Sequence, residues 1–264
     1  MIADYHVHLR AADESVDHSV EAVERVVEAA LVRGVDEIGF TEHVYYFEET
    51  RPLWTVPYHV ERCVYSIERY VEAILEAKRR TLPVKLGLEV DYVPNREDET
   101  RELLAPYPWD YLVGSIHFIG DAAIDAEPSL VARVGPERAW RSYYDALGRA
   151  ASAGLFDTLA HPDLVKMYGP ELEWDWGAVA RSLDGVCLEV SSAGLHKPHR
   201  SLYPNDTLLV EGRRRGVPIT LASDAHVPRN VGRDLDRAVE HARAAGYETF
   251  TVFDGRVARQ ERLP

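Results

Sequence analysis

Cysteine is almost missing from this chain: among 264 residues only Cys63 and Cys187 occur, far apart and each in an apolar stretch. That scarcity argues against a disulfide framework and sets a reducing, cytoplasmic compartment as the expectation. Apolar runs are short as well, and none approaches the roughly 18 residues that a membrane-spanning helix needs, so no membrane association is expected. The opening Met1-Ile2-Ala3-Asp4 turns acidic at once, unlike the start of a signal peptide. Positive charge is in deficit, with 30 Lys and Arg against 44 Asp and Glu and a net charge of −14. A protein that neutralises nucleic-acid phosphates needs a basic face, so nucleic acid is not an expected partner. The one basic run, Arg213-Arg214-Arg215, reads as a helix end, where cations complement the dipole.

What is present is the composition of a compact fold, 46% hydrophobic and 28% charged. Apolar runs of strand length alternate with amphipathic runs of helix length, the pattern of βα units around a parallel sheet or barrel. Seven rounds are convincing, with strand-like segments at Ile2 to His8, Glu37 to His43, Val84 to Tyr92, Tyr111 to Phe118, Thr158 to His161, Val186 to Ser192 and Pro218 to His226. Between the first two, Val23, Val26, Val27, Ala30 and Leu31 recur at helical spacing over Val20 to Val32. Gly34, Pro83, Gly154 and Gly216 punctuate the joins, and no low-complexity linker interrupts them, so residues 1–264 read as one α/β domain. Thr249 to Phe253 offers an eighth strand, but Asp254-Gly255 reads as a turn and Val257 onward is weakly patterned.

The chemistry gathers around Asp4-Tyr5-His6-Val7-His8. Histidines at i and i+2 on a strand point the same way, so His6 and His8 form a claw for a divalent metal. In parallel α/β folds the site collects at the carboxyl ends of strands. Nearly every such end here carries a metal-type ligand: Thr41-Glu42-His43, Glu89-Val90-Asp91, Ser115-Ile116-His117, His161-Pro162-Asp163 and Ser223-Asp224-Ala225-His226. A lone histidine at a strand end is more often structural; so many converging on one rim point to a metal site.

These motifs, in this order from Asp4 to about Arg233, resemble the PHP (polymerase and histidinol phosphatase) superfamily. Gly39-Phe40-Thr41-Glu42-His43, Leu155 to His161 and Ser192-Ala193-Gly194-Leu195 resemble its histidinol-phosphatase branch. The resemblance implies a distorted (β/α)7 barrel holding two to three divalent ions, Zn, Mn or Fe. Carried over by motif, His6, His8, Glu89 and Asp224 would hold the first ion, and Glu89, His117 and His161 the second. His43 and His226 would hold the third with a ligand from the loop after the first strand, where Asp13 is favoured over Glu14 and His18. The implied catalytic set is His6, His8, Glu89, His117, His161, Asp224 and His226. A water bridging two such ions ionises near neutral pH and attacks phosphorus, so the implied reaction is hydrolysis of a small phosphate monoester, L-histidinol phosphate foremost. A homo-oligomer is compatible with this reading.

The chain departs from the branch at His196, where an arginine that grips the substrate phosphate is usual. Lys197 and Arg200 are candidate substitutes, and Lys166 matches a basic position of the family, giving a substrate-binding set of Lys166, His196, Lys197 and Arg200. Asp163 reads equally as an orienter of a ligand histidine or a helix cap. Glu189 reads equally as a pocket acid or a buried acid paired to lysine. Tyr45-Tyr46-Phe47 reads as rim aromatics, and Trp174 and Trp176 as packing or lid residues. The alternatives are phosphoesterase action on a sugar or nucleoside phosphate, a nucleic-acid phosphodiesterase, an amidohydrolase, and a metal-binding module without catalysis. Glu89 and the histidine two after Asp224 favour a phosphoesterase over an amidohydrolase, and the filled ligand positions argue against lost catalysis.

Overall fold

The computed structural model describes residues 1–11, 13 and 15–264. Its strands are β1 (Ala3–Val7), β2 (Glu37–Phe40), β3 (Val84–Leu86), β4 (Glu89–Asp91), β5 (Val113–Ser115), β6 (Phe118–Ile119), β7 (Ala122–Ala123), β8 (Thr158–Leu159), β9 (Cys187–Ser191), β10 (Ile219–Ala222), β11 (Thr249–Asp254) and β12 (Val257–Arg262). Helices α1 (Val20–Val32), α2 (Pro57–Val60), α3 (Ile67–Arg79), α4 (Glu97–Leu104), α5 (Leu130–Val134), α6 (Pro136–Ser152), α7 (Trp176–Ser182), α8 (Asp206–Arg214) and α9 (Leu235–Ala244) lie between them. None is long and apolar enough to cross a membrane.

Pairing divides the parallel strands into a three-stranded sheet, β1-β2-β3, and a five-stranded sheet, β10-β9-β8-β5-β4. Isolated parallel bridges join the two sheets: Val7 on β1 with Ala225 after β10, and His43, just beyond the central strand β2, with Glu89 on β4. The strands are buried on both faces, which is why their sequences run apolar rather than alternating. Each of the seven expected segments holds a strand, but pairing stops short of the predicted ends. The third segment breaks at Gly87-Leu88 into β3 and β4. The C-terminal segment does not extend the parallel sheets. It folds back as the antiparallel hairpin β11-β12, with Gly255 and Arg256 at positive φ in its turn. Most of β12 is exposed, so no apolar alternation marked it in advance.

Helix α1 forms where expected because Val23, Val26, Val27 and Ala30 make one buried stripe, and the Ser19 hydroxyl accepts the Ala22 N–H at its N-terminus. Leu31, expected on that stripe, is exposed: it falls beyond its edge.

Two glycines of the motif strands are set by one tyrosine. A Cβ on Gly39 would lie 1.9 Å from the Tyr111 hydroxyl oxygen, and one on Gly87 would lie 2.6 Å from its Cζ. Tyr111 is fully buried, donates its hydroxyl to Tyr5 O at 2.9 Å and stacks on Phe253, so its ring cannot swing aside. Gly39→Ala is therefore expected to lower stability by about 3 kcal/mol, the upper part of the overpacking range. Urea unfolding checks this, and Tyr111→Phe in the same chain should restore part of the loss by removing the nearest atom.

Candidate metal centre

The bridges that join the sheets also assemble the site. Ala225 N donates to His6 O and His8 N donates to Ala225 O, which aligns the end of β1 with the loop after β10. Glu89 N donates to Glu42 O, which sets β4 beside the end of β2. Buried Asp4 fixes the Asp224 loop from below, accepting from Ser223 N at 2.9 Å, Ser223 Oγ at 2.5 Å and Gly232 N at 2.9 Å. His161 (φ 26°) and Asp224 (φ 50°) both occupy the left-handed region, a costly backbone for non-glycine residues that concentrates at functional sites.

Glu89, fully buried, is the hub. Its Oε1 lies 3.2 Å from His161 Nε2 and 3.4 Å from His117 Nε2. Its Oε2 lies 2.6 Å from His43 Nδ1, 3.5 Å from His6 Nε2 and 3.8 Å from His8 Nε2. Asp224 Oδ1 faces the same claw, 3.7 Å from His6 Nε2 and 3.5 Å from His8 Nε2. His226 stacks on His8 with ring centroids 4.1 Å apart, and His43 stacks on the same ring at 4.3 Å. Three groups, His6-His8-Glu89, His43-Glu89-His117 and His8-His43-His226, each bring ligand atoms within 4.8 Å of one another.

The donor set fits divalent ions. His6 Nε2, both ring nitrogens of His8 and Glu89 Oε2 are buried without a hydrogen-bond partner. Such atoms are costly unless something satisfies them. Burial opposes charge on Glu89, yet His117, His6 and His43 hold its carboxyl well below the usual carboxylate range. Burial likewise opposes charge on Asp224, which His6 and His8 hold well below its ordinary value. His8 is driven well below the usual imidazole value by burial and by the neighbouring His226 and His43, and His226 falls to about 4, chiefly through burial. Against its own burial, His117 rises to about 10 beside Asp91 and Glu89.

Carboxylates behind the claw hold the rings. Glu189 Oε2 lies 2.7 Å from His6 Nδ1, and its Oε1 accepts the His161 N–H at 3.0 Å; the alternative of a lysine partner is not what forms. Asp91 Oδ1 lies 2.9 Å from His117 Nδ1. Carboxylate-histidine pairs of this kind fix ring orientation at metal sites. Asp91 stood in the motif with no role given to it; its signal was the i+2 spacing from Glu89.

The third-ion loop differs from expectation. Asp13 is exposed, and its Oδ1 accepts from Ser15 N and Ser15 Oγ, so it does not join the cluster. Glu14 lies outside the described residues. His18 is buried 3.8 Å from Glu42 Oε2, and Glu42 Oε1 lies 3.9 Å from His8 Nδ1. Glu42, the middle residue of Thr41-Glu42-His43, is thus the acid that this loop faces. Despite its burial, the Glu42 carboxyl is lowered to about 2 by His18 and His8.

A cavity of about 320 Å³ opens beside these ligands, with His43, His117, His161, Asp224 and His226 in its lining and Tyr45, Tyr46 and Tyr58 on its wall. Of the four expected substrate contacts only Lys197 lines it. Lys166 is a correction: its Nζ is buried 2.9 Å from Asp163 Oδ2 and donates to Leu202 O at 2.7 Å. His196 turns to Asp234 Oδ2 at 2.6 Å, and Arg200 lines a different cavity. Asp163 takes neither expected role: its side chain makes no cap hydrogen bond, and its Oδ2 pairs with Lys166 and accepts from Asn205 N and Nδ2. Trp174 and Trp176 pack near Trp140, away from the cavity. Arg10, Arg62 and Asp125, which no motif marked, line the cavity.

Comparison with known proteins agrees with this architecture. A family model described as PHP domain matches residues 4–193. A Deinococcus radiodurans protein named "Probable histidinol-phosphatase" is 32% identical over 95% of this chain and 96% of its own length. The Bacillus subtilis protein named "Histidinol-phosphatase" is 27% identical over 90% of this chain and 98% of its own. The crystal structure of histidinol phosphate phosphatase from Lactococcus lactis, complexed with Zn, L-histidinol and phosphate, superposes with a TM-score of 0.75 at 22% identity. It covers 97% of this chain and 98% of that one. At that identity the likeness is one of fold.

Proposed function

This chain belongs to the PHP domain family, and on that premise we propose that it is a metal-dependent phosphatase that hydrolyses L-histidinol phosphate to L-histidinol and phosphate. The observation that carries the proposal is the convergence of His6, His8, His43, His117, His161 and His226 with Glu89 and Asp224 beside one cavity. The names of the relatives, and the Zn, L-histidinol and phosphate in the Lactococcus lactis crystal structure, support the substrate.

In this reading the two parallel sheets are one distorted (β/α)7 barrel in a single domain, with β3 and β4 as one broken strand and the Val7–Ala225 and His43–Glu89 bridges as its seams. Two to three divalent ions, Zn, Mn or Fe, would be held by His6, His8, Glu89 and Asp224, by Glu89, His117 and His161, and by His43 and His226. When bound, such ions supply Lewis acidity toward the phosphoryl oxygens and a nucleophile that is ionised at neutral pH. The chain's own part is positional. Glu189 and Asp91 set the His6 and His117 rings, Asp4 sets the loop that carries Asp224, and the tyrosine wall bounds the space left to the substrate. That wall suits a small ester rather than a polymer.

The test is phosphate release from metal-loaded protein with L-histidinol phosphate beside sugar and nucleoside monophosphates, with and without chelator. Histidinol phosphate should lead in kcat/KM by orders of magnitude, and chelator should abolish turnover until metal is restored. Weak activity spread over the panel would keep the phosphomonoesterase and remove the substrate assignment; turnover indifferent to chelator would remove the metal mechanism.

A further inference from the structure

We propose that the phosphate grip of this site lies on the guanidinium groups of Arg10 and Arg62, with Lys197 as the third cation. The inference rests on the phosphomonoesterase reading above and names the residues that recognise the phosphate. It begins from two side chains that are engaged elsewhere. His196 lies against Asp234 outside the cavity, and the buried Lys166 ammonium is paired with Asp163. Neither presents free N–H groups to an anion beside the ligands.

Arg10 and Arg62 do. Arg10 follows His8 by two residues, and the cavity that holds His43, His117 and His226 is lined by Arg10, Arg62 and Lys197 together. Arg10 donates to the Tyr46 hydroxyl, while its Nε is buried with no hydrogen-bond partner. The Arg62 guanidinium carbon lies 3.6 Å from the centroid of the Tyr58 ring, and one of its nitrogens donates to Tyr58 O at 2.8 Å. Both guanidiniums are thus oriented by tyrosines rather than carboxylates. Among the described residues neither has an acidic partner, so the charge and the remaining N–H donors are available. A cation held on an aromatic face keeps its full charge for a second partner.

The charge balance points to a dianion. Outside the ligand set, the cavity's three cations face one carboxylate, Asp125. Guanidinium forks match phosphate oxygens bidentately, which a lysine does not. A phosphate monoester, with several terminal oxygens and two negative charges, is the ligand class that satisfies this wall.

The experiment measures binding of radiolabelled inorganic phosphate to Zn-loaded protein by equilibrium dialysis, beside KM and kcat for L-histidinol phosphate. Arg10→Met and Arg62→Met should each weaken phosphate binding and raise KM by roughly ten- to hundredfold, as expected for a lost charge-assisted contact. Arg10→Lys and Arg62→Lys, which retain charge and guard against a folding defect, should recover part of the loss. His196→Ala should stay within about twofold of wild type, as for a surface change. Wild-type phosphate binding in both methionine variants, or a tenfold loss in His196→Ala, overturns the proposal. Phosphate held through Arg10 and Arg62 with no ester hydrolysed would sustain the grip and remove the phosphatase reading. Rapid hydrolysis indifferent to both arginines would do the reverse.

Discussion

Glu89→Gln should abolish phosphatase turnover while leaving the fold intact, with kcat/KM at least about a thousandfold down, or ~4 kcal/mol of transition-state stabilisation lost. The substitution is isosteric, so packing around a fully buried side chain is kept. What changes is the charge and one oxygen. Glu89 is shared by the His6-His8-Glu89 and His43-Glu89-His117 groups, and both of its oxygens face imidazoles at 2.6–3.8 Å. A neutral amide is a far weaker ligand for divalent ions than a carboxylate, and its NH2 would turn a donor into the space where ions would be held. Metal content by plasma mass spectrometry should fall with activity, while far-UV circular dichroism should match wild type. Near-normal turnover at full metal content would show that the ion-holding carboxylate is another residue, and Glu42 and Asp224 are the remaining acids beside His8.

The convergence of these histidines and acids was legible because residue type and strand periodicity suffice for it. His6 and His8 must share a face of β1, and the other motifs sit at the carboxyl ends of strands that a parallel sheet brings together. The alternation of apolar runs gave the strand order of the βα units, and Gly39 and Gly87 stood in their motifs for a reason that only Tyr111, distant in the chain, explains. Less was legible where pairing partners are remote. Nothing near Lys166 said that the Leu202 carbonyl would hold it inward beside Asp163, and nothing near His196 said that Asp234 would engage it. No motif marks Arg10, because its meaning comes from Tyr46 and from the cavity it lines. Asp13 was favoured by its spacing after His8, but a short side chain in an exposed turn is satisfied locally by Ser15, whereas Glu42 is carried inward by β2. In the β11-β12 hairpin the first strand and the Asp254-Gly255 turn were legible, but β12 was not: an exposed strand has no apolar face to leave a pattern.

Glu189 is where the support of the site and the stability of the fold meet, and two substitutions there should separate them. The side chain is 1% exposed on β9, with one oxygen on His6 Nδ1 and the other accepting the His161 N–H. Among the forces on His6, burial acts to lower its pKa, but Glu189, Glu89 and Asp224 outweigh it and hold the ring well above its ordinary value. Removing the nearest partner leaves the buried ring to Glu89 and Asp224 alone and strips the His161 N–H of its acceptor, so Glu189→Leu should cost about 3 kcal/mol of stability in metal-free protein, read by urea unfolding. Glu189→Gln keeps the shape and the acceptor for the His161 N–H but loses the charge behind His6. It should unfold near wild type yet bind metal and turn over substrate roughly 10–100-fold less well, the usual cost of losing a carboxylate behind a ligand histidine. Equal stability losses with no effect of Gln on metal affinity would make Glu189 a packing residue and leave His6 oriented by β1 alone.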